Sequence, residues 1–403
     1  MNTAQNYIII KGCGAISALG HDAASSDSAF LSGKLGFRTI NHQEQPTPTA
    51  AISAEAEEIL SSLQQSNPHY KQLDRSVLLA IYAARQAAEQ AGWTASAAAP
   101  DEELAVNIGS SRGATGLFEQ HFEAYKQSTD CRTTSAASPT TTLGNISSWA
   151  AHAVHAEGPQ ISHSITCSTA LMAVANGVAW LKAGMAKRFL AGGAEAPLTP
   201  FTIAQMKAIG IYSGLQHTPY FCQPHARQRQ NTFVLGEGAA VLALESVSQE
   251  QLTPGAVIVE AVGIGFEKIE SKTGISREGR NFQKAMRHAL AQLPGNDSQI
   301  DLIITHTPGT YAGDTAERAA IEAVFGQHTP AITTNKWLLG HTLGASGALS
   351  LAYALQALAL QYYPPLPYAN VLNETRPPAI RRVLINAAGF GGNAASVVLK
   401  LQE

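Results

Sequence analysis

Short apolar runs alternate with helical periodicities along the whole of this chain, and their order is similar in its two halves. A buried strand is a short continuous apolar run, whereas a helix carries apolar residues three and four positions apart. A polar stretch near residue 250 separates the halves, which we place at 1–250 and 251–403. This alternation predicts an α/β fold with helices packed on sheets, and the similar order suggests an internal duplication.

The individual elements can be located from the same patterns. We predict strands at 7–11, 104–108, 189–191, 256–264, 302–305, 331–334, 383–386 and 395–401, and a glycine turn that leads into an apolar strand within 233–245. We predict helices at 22–35, 73–91, 143–155, 201–209, 281–292, 315–325 and 347–360. Residues 40–68 are polar and broken by prolines, so no regular element is predicted there. The glycine-rich stretch at 12–20 lacks GxGxxG spacing and a P-loop lysine, which favours a turn after the first strand.

Composition and charge exclude several classes of protein. Hydrophobic residues make up 45% of the 403 residues, enough to bury a large core. The net charge of −3 gives no general affinity for nucleic acid. The N-terminus lacks the features of a signal peptide, and no apolar run approaches the roughly 20 residues of a membrane span. The four cysteines lie far apart without metal-ligand spacing, so no zinc site or disulfide framework is predicted, and reduced thiols fit the cytoplasm.

Cys167 stands where a strand pattern changes into a helical one. The stretch SHSITCSTA is β-branched and polar before the cysteine, and apolar residues recur at helical spacing after it. The first turn of a helix has unpaired N–H groups and a partial positive charge, which lower the pKa of a thiol and stabilise the nucleophilic thiolate. A buried structural cysteine explains the same pattern, because free cysteine is among the most buried residue types. From this stretch alone, both interpretations stay open.

Three later stretches carry polar groups and glycines that suit a cleft. His306 ends a predicted strand, and Lys336 and His341 lie five residues apart beside several glycines. A cluster of glycines surrounds Phe390, which is typical of a mobile loop or an anion-binding nest. Each stretch also has an ordinary explanation, namely a surface histidine, a helix cap, a solvated lysine or a turn.

Taken together, these stretches resemble the β-ketoacyl synthases of the thiolase superfamily. The matching motifs are TCSTA around Cys167, the strand end at His306 followed by AGD, KxxxGH at 336–341 followed by LGASGA, and the closing GFGGN at 389–393. SPTTT, EGP, AGGAEA and GEGA match as well, so the resemblance covers essentially the full length. The order of these motifs along the chain is highly specific for the family.

The resemblance implies a thiolase-like five-layered α-β-α-β-α fold from two duplicated halves, usually in a dimer. It also implies a decarboxylative Claisen condensation, in which acyl carrier protein loads an acyl group onto Cys167 as a thioester. A malonyl extender on carrier protein then loses CO₂, and the resulting carbanion attacks that thioester. The substrates arrive on the phosphopantetheine arm of the carrier protein, and no metal or bound cofactor is required.

By the same resemblance, His306 and His341 donate hydrogen bonds to the malonyl thioester oxygen and stabilise the enolate. Lys336 would orient this network, with Glu317 as its ion-pair partner and Asp314 as further structural support. From the residues alone, the two acids lie three positions apart at a helix start, where they would simply favour the dipole.

The closing glycine-rich loop resembles the gate of the family. Phe390, flanked by Gly389 and Gly391, would swing to admit the acyl chain. Its backbone N–H and that of Cys167 would form the oxyanion hole for the acyl thioester. Thr310 would contact the phosphopantetheine arm.

Four departures from the family pattern concern this site. Thr307 and Pro308 replace the usual Gly-Thr after the first histidine, and proline cannot make a hydroxyl contact to pantetheine. Ser350 replaces the common acid, which removes a charge near the second histidine. The stretch 224–233, PHARQRQNTF, replaces PFDxxRDGF. Arg112 falls where relatives often have an apolar residue at the far end of the acyl tunnel, which argues against a simple alkyl tunnel unless the arginine is paired or points into a neighbouring subunit.

These departures leave other functions open. Some family members are chain-length factors, which pair with a catalytic ketosynthase, shape its tunnel and typically lose the nucleophile. This chain keeps Cys167, His306, Lys336 and His341, which favours an active enzyme, in a homodimer or a heterodimer. The departures favour a type II polyketide or pigment pathway over housekeeping fatty-acid elongation. A thiolase would carry a second catalytic cysteine in a C-terminal CxG motif, and no cysteine follows Cys222.

Overall fold

The structure, a computed structural model, describes residues 6–93, 95–130, 132–269, 275–295, 299–372 and 376–403. Cys131 lies outside the described residues. The strands are β1 (Asn6–Ser17), β2 (Arg38–His42), β3 (Gln45–Ala50), β4 (Leu104–Gly109), β5 (Gln160–Ile161), β6 (Arg188–Glu195), β7 (Leu235–Gly236), β8 (Gly238–Ser248), β9 (Val257–Phe266), β10 (Leu302–Ile304), β11 (Ala331–Thr333), β12 (Arg382–Gly389) and β13 (Asn393–Leu401). The helices are α1 (Ala23–Ser32), α2 (Ala54–Ser66), α3 (Arg75–Gln90), α4 (Thr115–Gln127), α5 (Ala137–Thr141), α6 (Asn145–Ala153), α7 (Thr169–Lys182), α8 (Pro200–Ala208), α9 (Arg280–Leu290), α10 (Tyr311–Phe325), α11 (Lys336–Leu339) and α12 (Ser346–Leu360).

The main sheet has the same strand order in both halves of the chain. Its order is β11-β10-β12-β13-β9-β1-β8-β6-β4-β5. Counted along each half, both halves therefore place their strands in the order third, second, fourth, fifth, first. The halves meet where β1 pairs antiparallel with β9, with Ile9 opposite Ile258. Because the halves share one continuous sheet, the domain boundary at residue 250 stays a prediction.

Helices α7 and α12 lie together between the two halves of the sheet. α7 packs on β4 and β6 of the first half and reaches β13 of the second, whereas α12 packs on β12 and reaches β8. α3 covers β1, β6 and β8, and α9 covers β9 and β13. The layers therefore follow the order α-β-α-β-α, and the predicted five-layered fold is confirmed.

One helical stretch, Leu343–Leu360, is long and apolar enough to cross a membrane by length and composition. However, 72% of it is buried inside the protein, and Leu349, Leu351 and Leu358 belong to the largest apolar cluster of the core. It is therefore a core helix of the fold. Its 18 residues nevertheless approach the length of a membrane span, so the expectation that no apolar run comes near that length is wrong.

The predicted turn after the first strand is wrong in its first part, because β1 continues to Ser17. Glycines in this strand let a helix pack directly on its backbone. A Cβ on Gly14 would lie 2.0 Å from the carbonyl oxygen of Ala83 in α3. The second half repeats the arrangement, because a Cβ on Gly263 of β9 would lie 1.9 Å from the carbonyl oxygen of Ala285 in α9.

The sequence patterns miss β2, β3, β7, α2, α4, α5 and α11, and the strand expected to lead into Cys167 is present only as β5. The elements that were predicted are otherwise present with shifted ends. β2, β3 and β7 form a small separate sheet. Within this sheet, β7 pairs with Thr49 and Ala50 of β3, and Pro46 and Pro48 lie outside that ladder. α4 buries none of its residues, so its apolar stripe does not face the core.

Candidate active site

Cys167 lies on a turn between β5 and α7 rather than at the end of a strand, because β5 ends at Ile161. The cysteine comes two residues before the start of α7 at Thr169 and is half-buried. Thr166, just before it, has a φ of 50°, a left-handed conformation that is rare for a β-branched residue. Such strain costs on the order of 1–3 kcal/mol and recurs at functional sites.

The β12–β13 hairpin supports this turn from the other side. Thr166 Oγ1 donates a hydrogen bond of 3.1 Å to the carbonyl oxygen of Phe390. Gly389 lies so close that a Cβ on it would be 1.8 Å from Thr166 Oγ1 and 2.7 Å from Cys167 N. Gly391, with a φ of 96°, belongs to the tip of the hairpin and does not line the cavity described below. The hairpin thus brings Phe390 and the nucleophile turn together.

Gly389→Ala is expected to displace this turn, because its methyl group would overlap the Thr166 hydroxyl. Overpacking of this kind costs about 1–3 kcal/mol. Denaturant unfolding should show that loss of stability, and the alkylation rate of Cys167 should change. Gly214→Ala is the matched control, because a Cβ there meets nothing within 4 Å. Equal behaviour of the two variants would contradict the close contact at Gly389.

His306 and His341 face each other with ring centroids 5.0 Å apart and ring planes at 84°. Burial lowers the pKa of His306 to about 3 and that of His341 well below its usual value, and Lys336 adds to both shifts. Both imidazoles are therefore neutral near pH 7. Each Nδ1 is buried without a partner, and neither Nε2 has a partner among the described residues. In the Nε2–H tautomer, each imidazole therefore presents a free donor to the cavity that both residues line.

Lys336 is fully buried and does not line the cavity. Its Nζ donates hydrogen bonds to Asn335 Oδ1 at 3.0 Å and to Ser350 Oγ at 3.1 Å. The predicted ion pair with Glu317 is wrong, because no carboxylate in the described part of the chain contacts this Nζ. Burial lowers the pKa of Lys336 to about 8, although Glu317 raises it. The replacement of an acid by Ser350 was expected to remove a charge near the second histidine. Ser350 instead contacts Lys336, where a neutral hydroxyl stands in place of a counter-charge.

Glu317 and Asp314 are both buried, and they hold the loop that carries the first histidine. Glu317 accepts the backbone N–H groups of His306 at 3.0 Å and Thr307 at 2.8 Å. Asp314 accepts the N–H of Gly309 at 3.2 Å. Burial raises the pKa of Glu317 to about 7 and that of Asp314 to about 8. The two acids therefore act as loop anchors rather than as charges at an exposed helix start.

One cavity of about 710 Å³ brings most of the predicted site residues together. Among the residues that line it are Arg112, Thr166, Cys167, Met206, Ile211, Phe233, His306, Pro308, Thr310, His341, Leu343, Gly389 and Phe390. Its volume lies within the roughly 300–1,000 Å³ of small-molecule sites. In the described ranges, no group of three or more His, Cys, Asp or Glu side chains is placed to hold a metal ion.

His225, in the stretch that departs from the family pattern, lies behind the histidine loop. It is buried, and its Nε2 lies 2.9 Å from Thr305 Oγ1. Its backbone N–H donates to Asp314 at 3.1 Å. Burial lowers the pKa of His225 to about 3, so this histidine is neutral and structural. The sequence marked the stretch as unusual but did not indicate this contact.

Glu195 is a site residue that the sequence analysis did not single out. It is buried and accepts hydrogen bonds from Ser110 Oγ at 2.6 Å and from the backbone N–H groups of Ser111 and Arg112. Burial raises its pKa to about 7. The sequence feature that could have indicated Glu195 is an acid at the end of an apolar strand, in the stretch AGGAEA.

The predicted lowering of the thiol pKa is wrong for the structure as described. Burial raises the pKa of Cys167 to about 12, Glu195 raises it further, and Lys336 lowers it. The cysteine lies outside the first turn of α7, so desolvation outweighs the helix terminus. The resting thiol is therefore protonated.

Glu195→Gln is expected to lower the pKa of Cys167, because it removes a negative charge while its amide oxygen can keep the same hydrogen bonds. Lys336→Met should raise that pKa, because it removes a positive charge. The pH dependence of iodoacetamide alkylation of Cys167 measures both shifts, and the alkylation rates should change several-fold in opposite directions. Glu250→Gln, at an exposed position, is the control. Shifts of the same sign would contradict this electrostatic arrangement.

Known families and proteins are similar to this chain over nearly its full length. The β-ketoacyl synthase N-terminal domain matches residues 5–250, and the β-ketoacyl synthase C-terminal domain matches residues 256–370. A 3-oxoacyl-[acyl-carrier-protein] synthase 2 of Coxiella burnetii is 27% identical, over 97% of this chain and 98% of the relative. The tetracenomycin polyketide synthase ketoacyl synthase alpha subunit of Streptomyces glaucescens is 28% identical, over 98% and 97%. The solved structure of the ishigamide ketosynthase/chain length factor superposes with a TM-score of 0.82, at 24% identity, over 99% of this chain and 100% of that one.

The duplicated five-layered fold is that of the thiolase-like ketosynthases, and one cavity is lined by a cysteine and two histidines. This chain belongs to the β-ketoacyl synthase family. Because 3-oxoacyl-[acyl-carrier-protein] synthases match it over nearly its full length, it is an acyltransferase that performs condensation in fatty-acid or polyketide biosynthesis.

Proposed function

We propose that this chain condenses an acyl group held on Cys167 with malonyl-carrier protein, in a type II polyketide or pigment pathway. The observation that carries this proposal is the cavity in which the cysteine meets two neutral histidines with free Nε2 atoms. A covalent thioester needs an accessible thiol, and decarboxylation needs donors aimed at the developing enolate oxygen. We place the enzyme in the cytoplasm, where its thiols stay reduced.

Acyl transfer begins when Cys167 Sγ attacks the carbonyl carbon of the acyl-carrier-protein thioester. The backbone N–H groups of Cys167 and Phe390 stabilise the tetrahedral oxyanion, and the phosphopantetheine thiol leaves with the proton of the cysteine. The contact of Gly389 with the nucleophile turn supports this pairing. Phe390, at the rim of the cavity, gates entry of the acyl chain.

Condensation follows when the malonyl thioester enters the part of the cavity that the first phosphopantetheine arm has left. CO₂ leaves, and the bonding electrons move to the thioester oxygen, where His306 and His341 donate hydrogen bonds through Nε2–H. The enolate carbon then attacks the acyl-Cys167 carbonyl, and collapse of the intermediate releases the β-ketoacyl product and the thiolate. Lys336 does not touch the substrate. It orients and polarises the two imidazoles from its buried position outside the cavity.

The cavity mouth suits the phosphopantetheine arm of a carrier protein. Thr310 lines the cavity at the start of α10, where it can contact the arm. Pro308 also lines the cavity but has no hydroxyl to offer. We therefore assign the polar contact at this position to Thr310 alone.

The partner of this chain is a second ketosynthase-like subunit. Phe118, Phe122 and Tyr125 form an exposed apolar stripe on α4, and β5 is the exposed edge of the main sheet. Ile161 on that edge is exposed as well. An exposed apolar helix face and a sheet edge that is open on its outer side both suit a subunit interface, because each would otherwise face water.

A second candidate function is that of a chain-length-factor-like subunit with little activity of its own. Pro308, Ser350 and Arg112 favour it, because each changes a position that contacts the arm, the lysine or the acyl chain. A solved structure of similar fold is described as a ketosynthase/chain length factor. The intact cysteine and histidines weigh against it.

Acylation of the pure chain separates the two functions. The chain is incubated with acyl-carrier protein, alone and together with a co-purified partner, and intact-mass spectrometry locates the adduct. The catalytic function predicts an acyl adduct on Cys167 in the pure chain. Acylation of the partner only would establish the second function instead.

A further inference from the structure

Arg112 occupies the acyl cavity without a counter-charge. The residue follows β4 and lines the same cavity as Cys167, whose apolar lining includes Met206, Ile211 and Leu343. Its backbone N–H donates to Glu195 Oε1 at 3.2 Å, in a turn that Ser110 also ties to this carboxylate. The backbone of this turn is therefore fixed, so the arginine is a built part of the cavity.

The guanidinium of Arg112 has more donors than partners. Its Nη2 donates to the amide oxygen Oε1 of Gln205, which is neutral. Its Nε is buried without a partner, and Nη1 has none among the described residues. No carboxylate of those residues pairs with it, because Glu195 contacts its backbone instead. A guanidinium carries a fixed positive charge and five N–H donors, so most of this capacity is unused.

An unsubstituted alkyl chain bound in the cavity would leave the Arg112 guanidinium with still fewer hydrogen-bond partners. It would displace water from the guanidinium and offer no acceptor in return, and an unpaired buried charge is costly. An oxygen on the chain would restore the lost hydrogen bonds, and oxygen acceptors fit the fork of the guanidinium. The apolar side chains beside Arg112 would still accommodate the carbon skeleton around that oxygen.

We propose that the acyl chain accepted by this site bears a hydrogen-bond-accepting oxygen, as a ketone or a carboxylate, that binds the Arg112 guanidinium. The inference rests on the proposed acylation of Cys167 and adds the substrate class to it. Arg112 is then a specificity-determining residue rather than a barrier that closes the cavity.

The test compares acylation of Cys167 by N-acetylcysteamine thioesters of matched chain length, with an unsubstituted, a keto-substituted or a carboxylate-terminated chain. Rates are measured by intact mass over a series of chain lengths. The oxygenated chains are expected to react about tenfold faster at the best length, the scale of one hydrogen bond to a charged group. Equal rates for ketone and carboxylate indicate a neutral acceptor, and a further gain for the carboxylate indicates an anionic one.

Arg112→Leu is expected to abolish or reverse this preference, whereas Met206→Leu, in the same wall, should keep it. Arg112→Gln retains part of the donor capacity and should keep part of the preference, and thermal unfolding checks that all variants fold. An acetyl thioester, too short to depend on the arginine, reports acylation itself. Absence of acetylation would overturn both the proposed function and the inference. Acetylation without a preference for oxygenated chains, or a preference that survives in Arg112→Leu, would overturn the inference alone.

Discussion

Replacement of Cys167 by alanine is expected to abolish acyl transfer, with a loss of at least about 10⁴-fold, because no other cysteine of the described residues lines the cavity. The methyl group leaves the turn intact, so the variant should fold normally. Intact-mass spectrometry after incubation with acyl-carrier protein measures the adduct directly. Decarboxylation of malonyl-carrier protein needs the histidines but not the thiol, so CO₂ release should survive in this variant.

Cys13→Ala is the control for that experiment. Cys13 is half-buried but lies on β1, outside the cavity that holds Cys167. Its pKa is raised by burial to about 12, as is that of Cys167, so the intrinsic acidity of the two thiols does not distinguish them. Position alone therefore decides which cysteine reacts. An acyl adduct that persists in Cys167→Ala, or disappears in Cys13→Ala, would contradict the assignment.

His306→Ala and His341→Ala are each expected to lower the rate of decarboxylation by about 10²–10³-fold. This is the typical loss when one donor to a developing oxyanion is removed. Acylation of Cys167 should be affected much less, because neither imidazole is assigned to that step. Release of labelled CO₂ from malonyl-carrier protein measures the first step, and intact mass measures the second.

The pH dependence of decarboxylation gives an independent check on the same histidines. Burial holds the pKa of His306 at about 3 and that of His341 well below its usual value, so both keep their neutral form throughout the physiological range. The histidines should therefore cause no loss of rate between about pH 5 and pH 8, the range in which an ordinary histidine titrates. His328→Ala, at an exposed position after α10, should behave like the wild type. Burial places the pKa values of Glu195 and Glu317 at about 7, within the same range. A titration near the usual histidine pKa that disappears in His306→Ala or His341→Ala would therefore contradict the buried, neutral pair.

The α/β alternation, the duplication and the identity of the cavity residues could be predicted from local patterns and the order of motifs. Cys167, His306 and His341 are far apart in sequence. The order of their motifs was the only sequence feature that assigned them to one site. The elements that were missed have physical reasons. β3 carries two prolines, which lie outside its ladder with β7, and α4 buries none of its residues, so its apolar stripe does not face the core.

The electrostatics of the site could not be predicted from sequence. A helix terminus suggested a lowered thiol pKa, but desolvation of Cys167 dominates. Charge complementarity suggested a pair between Lys336 and Glu317, but the lysine contacts Ser350 and the acid binds backbone N–H groups of the histidine loop. Both outcomes depend on burial and on side-chain direction, which residue types and spacing do not encode.

A single-turnover condensation tests whether Cys167, His306 and His341 form one working site. The chain is first acylated on Cys167, freed of donor and then mixed with malonyl-carrier protein. CO₂, the β-ketoacyl product and the remaining acyl-Cys167 are measured together. Each acyl group lost from Cys167 is expected to yield one CO₂ and one β-ketoacyl-carrier protein. Loss of the acyl group by hydrolysis, or CO₂ release without any β-ketoacyl product, would contradict it.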